Sequence, residues 1–561
     1  MIPICEVMTM FLGLDVGGTH TDGVVIGTEG VMASAKVATD HSNLLNSING
    51  ALEKLLTEVR PGDIDRVNLS TTLSTNAIVE GKVEKVGVLV SAGPGIDPSH
   101  YAIGRNYHMV EGAIDHRGTE IKELDHNRAE QAFKECRKEN IRLYSVVTKF
   151  SPRNPGQENA LRQMLAKDAD FVTVGHQLSG QLNFHRRIVT AYYNSAVWRL
   201  YNDFASAMDE SFQKHGITAP INILKADGGT LPLLVSRNIP VESILSGPAA
   251  SVMGIMALCR IVQDSLVLDI GGTTTDIALF ASGIPLIEQE GISLEDRLTL
   301  VRALRTKSIG IGGDSAIAMV PGGITVGPER KGPSMAEGGV QPTLLDALNC
   351  LKIADHGVVG KSLAGMDDLA KKAGGSPEEL ARMAVDFSVA TIRREVENLL
   401  KEINEKPVYT IHEMLEGKKI VPEALYLMGG PAKPFAGLLS EAFGLKAVVP
   451  EYYTVANAVG AALSRTTMEV ELFADTEKKR MIIPNLNVNR EIPANYNLED
   501  ARRDARAHLL KYMEEIGGGD HAEAEIIEAS SFNMVGGFYT TGKNIRVKCQ
   551  IKPGVLACLY G

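Results

Sequence analysis

Apolar runs broken by glycine turns set the pattern of this chain. Phe11-Leu12-Gly13-Leu14 leads into Asp15-Val16-Gly17-Gly18-Thr19-His20-Thr21-Asp22 and then Val24-Val25-Ile26, which predicts strand, turn, strand. The pattern returns as Leu268-Asp269-Ile270-Gly271-Gly272-Thr273-Thr274-Thr275-Asp276 followed by Ile277-Ala278-Leu279-Phe280. Between the copies the chain reads as a polar helical stretch from Asn43 to Val59, and a strand from Arg66 into a Ser/Thr-rich loop (Ser70 to Asn76). A buried strand at Val86 to Val90 and a Gly/Pro/His-rich irregular stretch over 91–122 follow. Helix 127–139, strand 143–149, helix 156–167 and strand 170–174 then alternate as a β/α unit. A long amphipathic stretch (Arg186 to His215), strand 221–225, Asp227-Gly228-Gly229-Thr230 and a small-residue helix (Ser251 to Ala257) bring the chain to the second box.

Beyond it, Ile309-Gly310-Ile311-Gly312-Gly313-Asp314 is a further glycine loop, and 322–342 is a Gly/Pro-rich loop. Ser376-Pro377-Glu378-Glu379 carries the residue types of a capping box and opens a helix to about Ile403. Strand 424–428, Gly429-Gly430-Pro431-Ala432, a helix, strand 446–449 and the small-residue helix from Ala456 follow. After residue 466 the character changes to a charged helix (499–515) and strands at 524–528 and 545–551. The two boxes lie 254 residues apart, too far for a solenoid repeat and right for two tandem domains. The expected fold is therefore α/β, with domains at 1–200 and 201–465, a helical insertion at about 343–403, and a small C-terminal α+β piece at 466–561.

Each box suits phosphate. Paired glycines let the backbone approach an anion with no Cβ in the way, successive N–H groups form a nest, and threonine hydroxyls add donors. An aspartate ahead of the glycines would repel phosphate unless a divalent cation lay between them, so Asp15 and Asp269 point to Mg²⁺. Two facing tips would clamp one nucleotide. Asp22 and Asp276 read equally as struts of the hairpins or as groups orienting the attacking atom. Thr71, Thr72 and Asn76 could form a simple helix cap, but beside the first tip they are candidate donors to substrate or γ-phosphate, as is Ser246 ahead of Gly247-Pro248.

Composition narrows the class. With 561 residues and a net charge of −11, the chain is multidomain and offers no general attraction to nucleic acid or anionic membrane. No apolar run reaches the ~18 residues of a membrane span, and Met1-Ile2-Pro3-Ile4-Cys5-Glu6 lacks the basic start of a secretory signal. The six cysteines show no metal or redox spacing, so a cytoplasmic protein with reduced thiols is expected. His100, His108, His116, His176 and His185 lack ligand spacing and read as solvent-exposed loop residues, and Lys225 and Arg105 as surface charge.

The ordered set of motifs resembles the sugar kinase, actin and chaperone ATPase superfamily, and within it the hydantoinase/oxoprolinase A-type ATPases, which include the acetone carboxylase beta subunit. The resemblance runs over about 11–465 through the Asp15 box, Ser70 to Ala77, Asp227-Gly228-Gly229, Leu245 to Ala249, the Asp269 box, Ile309 to Ser315 and Gly429-Gly430-Pro431. It departs at His20, where the family is usually aromatic, at Asp314, where glycine is expected, and in a shortened tract after Gly430.

The resemblance implies two RNase-H-like domains closing on ATP and Mg²⁺. Gly17, Gly18, Thr19, Thr21, Gly271, Gly272, Thr273 and Thr274 would bind the β- and γ-phosphates, and Gly310, Gly312, Gly313, Gly429 and Gly430 would flank the adenosine. It implies ATP-driven opening of a cyclic amide such as a hydantoin or oxoproline. Alternatives are a ketone carboxylase subunit of the acetone carboxylase type and a non-catalytic ATPase acting as reactivase or chaperone-like partner. The short 466–561 stretch leaves little room for a hydrolase domain, so a second, hydantoinase B-type subunit is expected; a homo-oligomer stays open.

Overall fold

The computed structural model describes residues 10–40, 42–288, 291–321, 323–405, 419–518 and 523–560. The segment read for a secretory start therefore lies outside the described residues. Two sheets repeat one plan. The first contains β1 (Phe11–Val16), β2 (His20–Gly27), β3 (Gly30–Ala38), β4 (Arg66–Thr71), β5 (Ile221–Leu224) and β6 (Thr230–Pro232), in the order β6-β5-β4-β1-β2-β3. β1 pairs antiparallel with β2 and parallel with β4.

The second sheet is built around β7 (Ser265–Ile270) and β8 (Thr275–Ala281), an antiparallel pair like β1 and β2. β9 (Thr306–Ile309) adds to β8, and β10 (Ala424–Met428) lies parallel to β7 as β4 does to β1. The chain thus folds the same hairpin-plus-parallel-strand twice because the same alternation of apolar run and glycine turn occurs twice.

Between the sheets lie two helices of small residues, α1 (Ser246–Leu258) and α2 (Ala456–Leu463). Their approach is set by missing side chains. A Cβ on Gly460 would fall 2.0 Å from the Ala250 carbonyl oxygen, and one on Gly13 would fall 2.1 Å from the Ala458 carbonyl oxygen. A shared core of Val24, Ile26, Ala250, Met253, Val267, Phe280, Ala458 and Val459 fills the space. The buried Asn68 of β4 donates its amide to the carbonyls of Ala461 (2.8 Å), Ala462 (3.0 Å) and Ser464 (3.1 Å), closing the end of α2. Asn68→Ala takes the donor from the Ala462 and Ser464 carbonyls and leaves Ala461 only the Ser464 N–H, and should cost about 2 kcal/mol, seen as a lower urea midpoint with an unchanged slope. An unmoved midpoint contradicts the assignment.

The domain boundary expected at 200 falls inside a continuous helix, Phe184–Lys214, and β5 and β6, which follow that helix, complete the first sheet. The 91–122 stretch is also more ordered than its composition suggests. Asn106–Met109 runs parallel to Val86–Ser91 in a four-stranded sheet with Leu143–Thr148 and Phe171–Val174. Within the expected loop at 322–342, Gly323–Val326 pairs with Ile317–Val320.

The insertion consists of helices Leu344–Cys350, Val359–Ala373 and Pro377–Asn404. The last of these carries its capping box, Glu379 N donating to Ser376 Oγ at 3.2 Å and Ser376 N to Glu379 Oε2 at 3.1 Å. The C-terminal part is a five-stranded antiparallel sheet against helix Leu498–Glu515, with one long hairpin (Ala524–Gly536, Tyr539–Ile551) in place of two short strands. No helix among the described residues is long and apolar enough to cross a membrane.

Candidate active site

Strand register places a pair of carboxylates in each hairpin. Asp15 lies opposite Asp22, and Asp269 opposite Asp276. The turns are closed by the same bond, Gly17 N donating to the His20 carbonyl (3.1 Å) and Gly271 N to the Thr274 carbonyl (2.8 Å). The tips meet: Thr19 Oγ1 and Thr273 Oγ1 are 3.5 Å apart. A Cβ on Gly272 would come within 3.1 Å of Thr19 Oγ1, so glycine leaves the two tips room to approach without displacing the threonine. Around them is a cavity of about 580 Å³, within the range of small-molecule and cofactor sites.

Of the expected residues, Asp15, Gly17, Gly18, Thr19, Asp22, Thr72, Asp269, Gly271, Gly272, Thr273, Thr274, Asp276, Gly313, Gly429 and Gly430 line this cavity. Six do not. Thr21 is buried against Thr39 (Oγ1 to Oγ1, 3.2 Å). Thr71 and Ser246 are buried together, Ser246 Oγ donating to the Thr71 carbonyl at 2.9 Å, so they fasten α1 to β4. Asn76 is exposed and reaches only Thr72 Oγ1, at 3.4 Å. Gly312 packs on the second tip, where a Cβ would meet the Gly272 carbonyl at 2.6 Å, and Gly310 packs on Pro328. Gly429, at φ +89°, lies where a Cβ would be 2.6 Å from Asp269 Oδ1.

Residues remote in sequence complete the lining: Lys36, Glu337, Leu345, Asp355, His356, Tyr453, Thr454 and Asn457. Apart from Asn457, a polar residue within a run of small apolar ones, no local motif marks them. Asn457 Nδ2 donates to Asp269 Oδ2 at 3.1 Å, and Ser251 Oγ to the same oxygen at 2.6 Å, so the two small-residue helices aim this carboxylate. Of the three departures from the family pattern, His20 and Asp314 line the cavity, as does Pro431 of the shortened tract. Arg330 donates to Asp314 Oδ2 at 3.0 Å, and His356 pairs with Glu337 at 3.0 Å. Burial, helped by Lys36, pushes His20 down to about 4, so it is neutral at pH 7.

Among the described residues no group of three or more His, Cys, Asp or Glu stands close enough to hold a metal ion by itself. His176 is no loop histidine: it is fully buried and bonded through Nδ1 to Glu158 (2.6 Å). Lys225 is buried too, paired with Asp227 at 3.2 Å. The tip carboxylates fit Mg²⁺ in another way, since that ion commonly takes one or two carboxylates and completes its shell with phosphate and water. Asp15 Oδ1 and Asp276 Oδ1 are buried with no hydrogen-bond partner among the described residues, which is costly for an anion and is relieved by a cation.

Burial, with Asp22 and Asp269 nearby, pushes Asp15 from 3.8 to about 7. Burial next to Asp269 does the same to Asp276. A raised carboxyl pKa means the fold favours the protonated form. That stability is fully present below pH 3.8 and is lost as pH rises through about 7. Asp15→Asn should therefore gain in melting temperature over the ligand-free wild type as pH is raised from about 5 to about 8; a gain independent of pH contradicts this.

The family model described as Hydantoinase/oxoprolinase matches residues 187–470, and the Hydantoinase/oxoprolinase N-terminal region matches 11–168. Caprolactamase subunit alpha of Pseudomonas jessenii is 26% identical over 390 residues, which cover 63% of this chain and 56% of that protein. The chain thus spans little more than half of that relative. The nucleotide-free structure of acetone carboxylase superposes with a TM-score of 0.70 at 17% identity, covering 98% of this chain and 88% of that one. The crystal structure of the ATP-dependent caprolactamase from Pseudomonas jessenii gives 0.69 at 19%, covering 96% and 87%. The repeated sheets form two tandem α/β domains, the fold shared with these two structures. With both family regions matched in order along the chain, the protein belongs to the hydantoinase/oxoprolinase family.

Proposed function

We propose that the chain is the phosphorylating subunit of an ATP- and Mg²⁺-dependent cyclic amide hydrolase. The observation that carries this is the meeting of two duplicated glycine tips, each backed by a carboxylate pair, in one cavity. A lactam or hydantoin carbonyl is a poor electrophile because its nitrogen donates into it. Attack of that oxygen on the γ-phosphorus of ATP, with release of ADP, gives an imidate phosphate that water can open. Such a transfer depends mainly on positioning and charge stabilisation, which fits a site built on glycine tips and paired carboxylates. Bound Mg²⁺, held by Asp15 and Asp269, would neutralise phosphate charge. Thr19 and Thr273 would donate to the phosphates, and Thr72 and the start of α1 would face the acceptor.

Ring opening is assigned to a second, hydantoinase B-type subunit, in keeping with relatives named as subunits. The similarity to acetone carboxylase along nearly the whole chain favours one other reading, phosphorylation that drives carboxylation of a ketone. Purified protein should release ADP faster on addition of a hydantoin or oxoproline. Release stimulated only by bicarbonate plus a ketone selects the carboxylase reading, and release that only a protein client stimulates removes both.

A further inference from the structure

The two hairpins are copies in sequence, but the strands beside them are not. Asp22 lies opposite Lys36 on β3, whereas its counterpart Asp276 lies opposite Ser308 on β9. Lys36 Nζ donates to both oxygens of Asp22 at 2.8 Å and to the Thr454 carbonyl at 3.1 Å. An ammonium has three protons, and all three are engaged, so Lys36 acts through Asp22 and not as a phosphate ligand. Among the described residues the second hairpin has no such cation on Asp276. Lys307, next to Ser308, pairs instead with Glu395 at 2.8 Å. Lys36, Asp22, Thr72, Gly247 and Pro248 line the same cavity.

We infer that Lys36 is the positioning residue that commits Asp22, and not Asp276, to receive the proton released during phosphoryl transfer. The inference rests on the proposed phosphorylation. As the amide oxygen bonds to the γ-phosphorus, the bond from that phosphorus to the β–γ bridging oxygen breaks and leaves ADP. The amide N–H proton passes to an Asp22 oxygen, and its electron pair closes the C=N bond of the imidate phosphate. A carboxylate offers about four lone-pair directions, so an oxygen pinned by Lys36 still has one for this proton. The bond to Thr454, in the segment that leads into α2, ties the arrangement to the second lobe.

The test compares Lys36→Met and Lys36→Arg with wild type, reading ADP release with a cyclic amide, ADP release to water alone, and Mg·ATP affinity by calorimetry. The expected result for Lys36→Met is a loss of about 100-fold in both turnover rates with ATP affinity within about threefold, and Lys36→Arg recovers most of the loss because it restores a cation to Asp22. Retention of both rates by Lys36→Met overturns the inference, as does loss of ATP binding in parallel with turnover, or failure of arginine to recover it. If wild type hydrolyses ATP but no cyclic amide stimulates it, the cyclic amide reading falls while the water reaction still decides the role of Lys36.

Discussion

Asp269→Asn should reduce Mg·ATP turnover by roughly 10²- to 10³-fold or more while the melting temperature stays close to that of wild type. The carboxylate is aimed from two sides, by Ser251 Oγ at 2.6 Å and Asn457 Nδ2 at 3.1 Å, and the Gly429 backbone crosses close to Oδ1. Asparagine keeps the volume of this side chain and removes its charge. A neutral amide cannot offset a divalent cation, and an NH₂ group turned toward Asn457 Nδ2 or the Ser251 hydroxyl would replace an acceptor with a donor. Loss of turnover with an intact melt locates the defect in the chemistry. Undiminished ADP release would show that Asp269 only braces its hairpin.

The largest effect on stability is expected at Gly460. A side chain there meets backbone on two sides, the Ala250 carbonyl at 2.0 Å and Gly254 N at 2.4 Å, and neither can give way unless α1 and α2 move apart. Gly460→Val should cost roughly 3–5 kcal/mol, enough to remove most soluble protein or to lower the urea midpoint steeply. Separation of these helices would also carry Asn457 and Ser251 away from Asp269, so residual folded protein should be inactive. Gly437→Ala is the control. A Cβ there has nothing within 4 Å and the residue sits in a helix, so alanine should be neutral or stabilising by up to about 1 kcal/mol. Equal behaviour of the two variants contradicts the packing argument.

What could be read in the chain was local chemistry. The Asp-x-Gly-Gly-Thr boxes carry their strand pattern, their turn and their carboxylates within a few residues, and so the paired hairpins and most of the tip residues were legible. Gly429 and Gly430, which entered the expected site only through the family resemblance, also line the cavity. Lys36 and Asn457 were not, because each reaches the site only through tertiary pairing. Lys36 lies in an alternating strand that looks like any half-buried edge, and its meaning comes from register opposite Asp22. Asn457 is the single polar residue within a run of small apolar ones, a signal that could have marked it. Thr71 and Ser246 carry the right hydroxyls but spend them on backbone, Ser246 Oγ donating to the Thr71 carbonyl and Thr71 Oγ1 accepting from Leu73 N.

The boundary near residue 200 was hidden because one unbroken helix spans it, while the chain returns to the first sheet only at Ile221. Asn106–Met109 lacks the β-branched residues that mark a strand, and its place is given by the neighbour Val86–Ser91. Lys225 was misread as surface because the sequence does not show that its near neighbour Asp227 is itself buried, where it pairs with both Lys225 and the distant Arg302.

The central claim is that both glycine tips grip one triphosphate. A crystal structure of the full chain with a non-hydrolysable ATP analogue and Mn²⁺ as an anomalous marker for the magnesium position tests it most directly. The expected result is one nucleotide per chain, its β- and γ-phosphates between Thr19 and Thr273 and the metal beside Asp15 and Asp269. A nucleotide held by one tip alone, or bound outside this cavity, would contradict it.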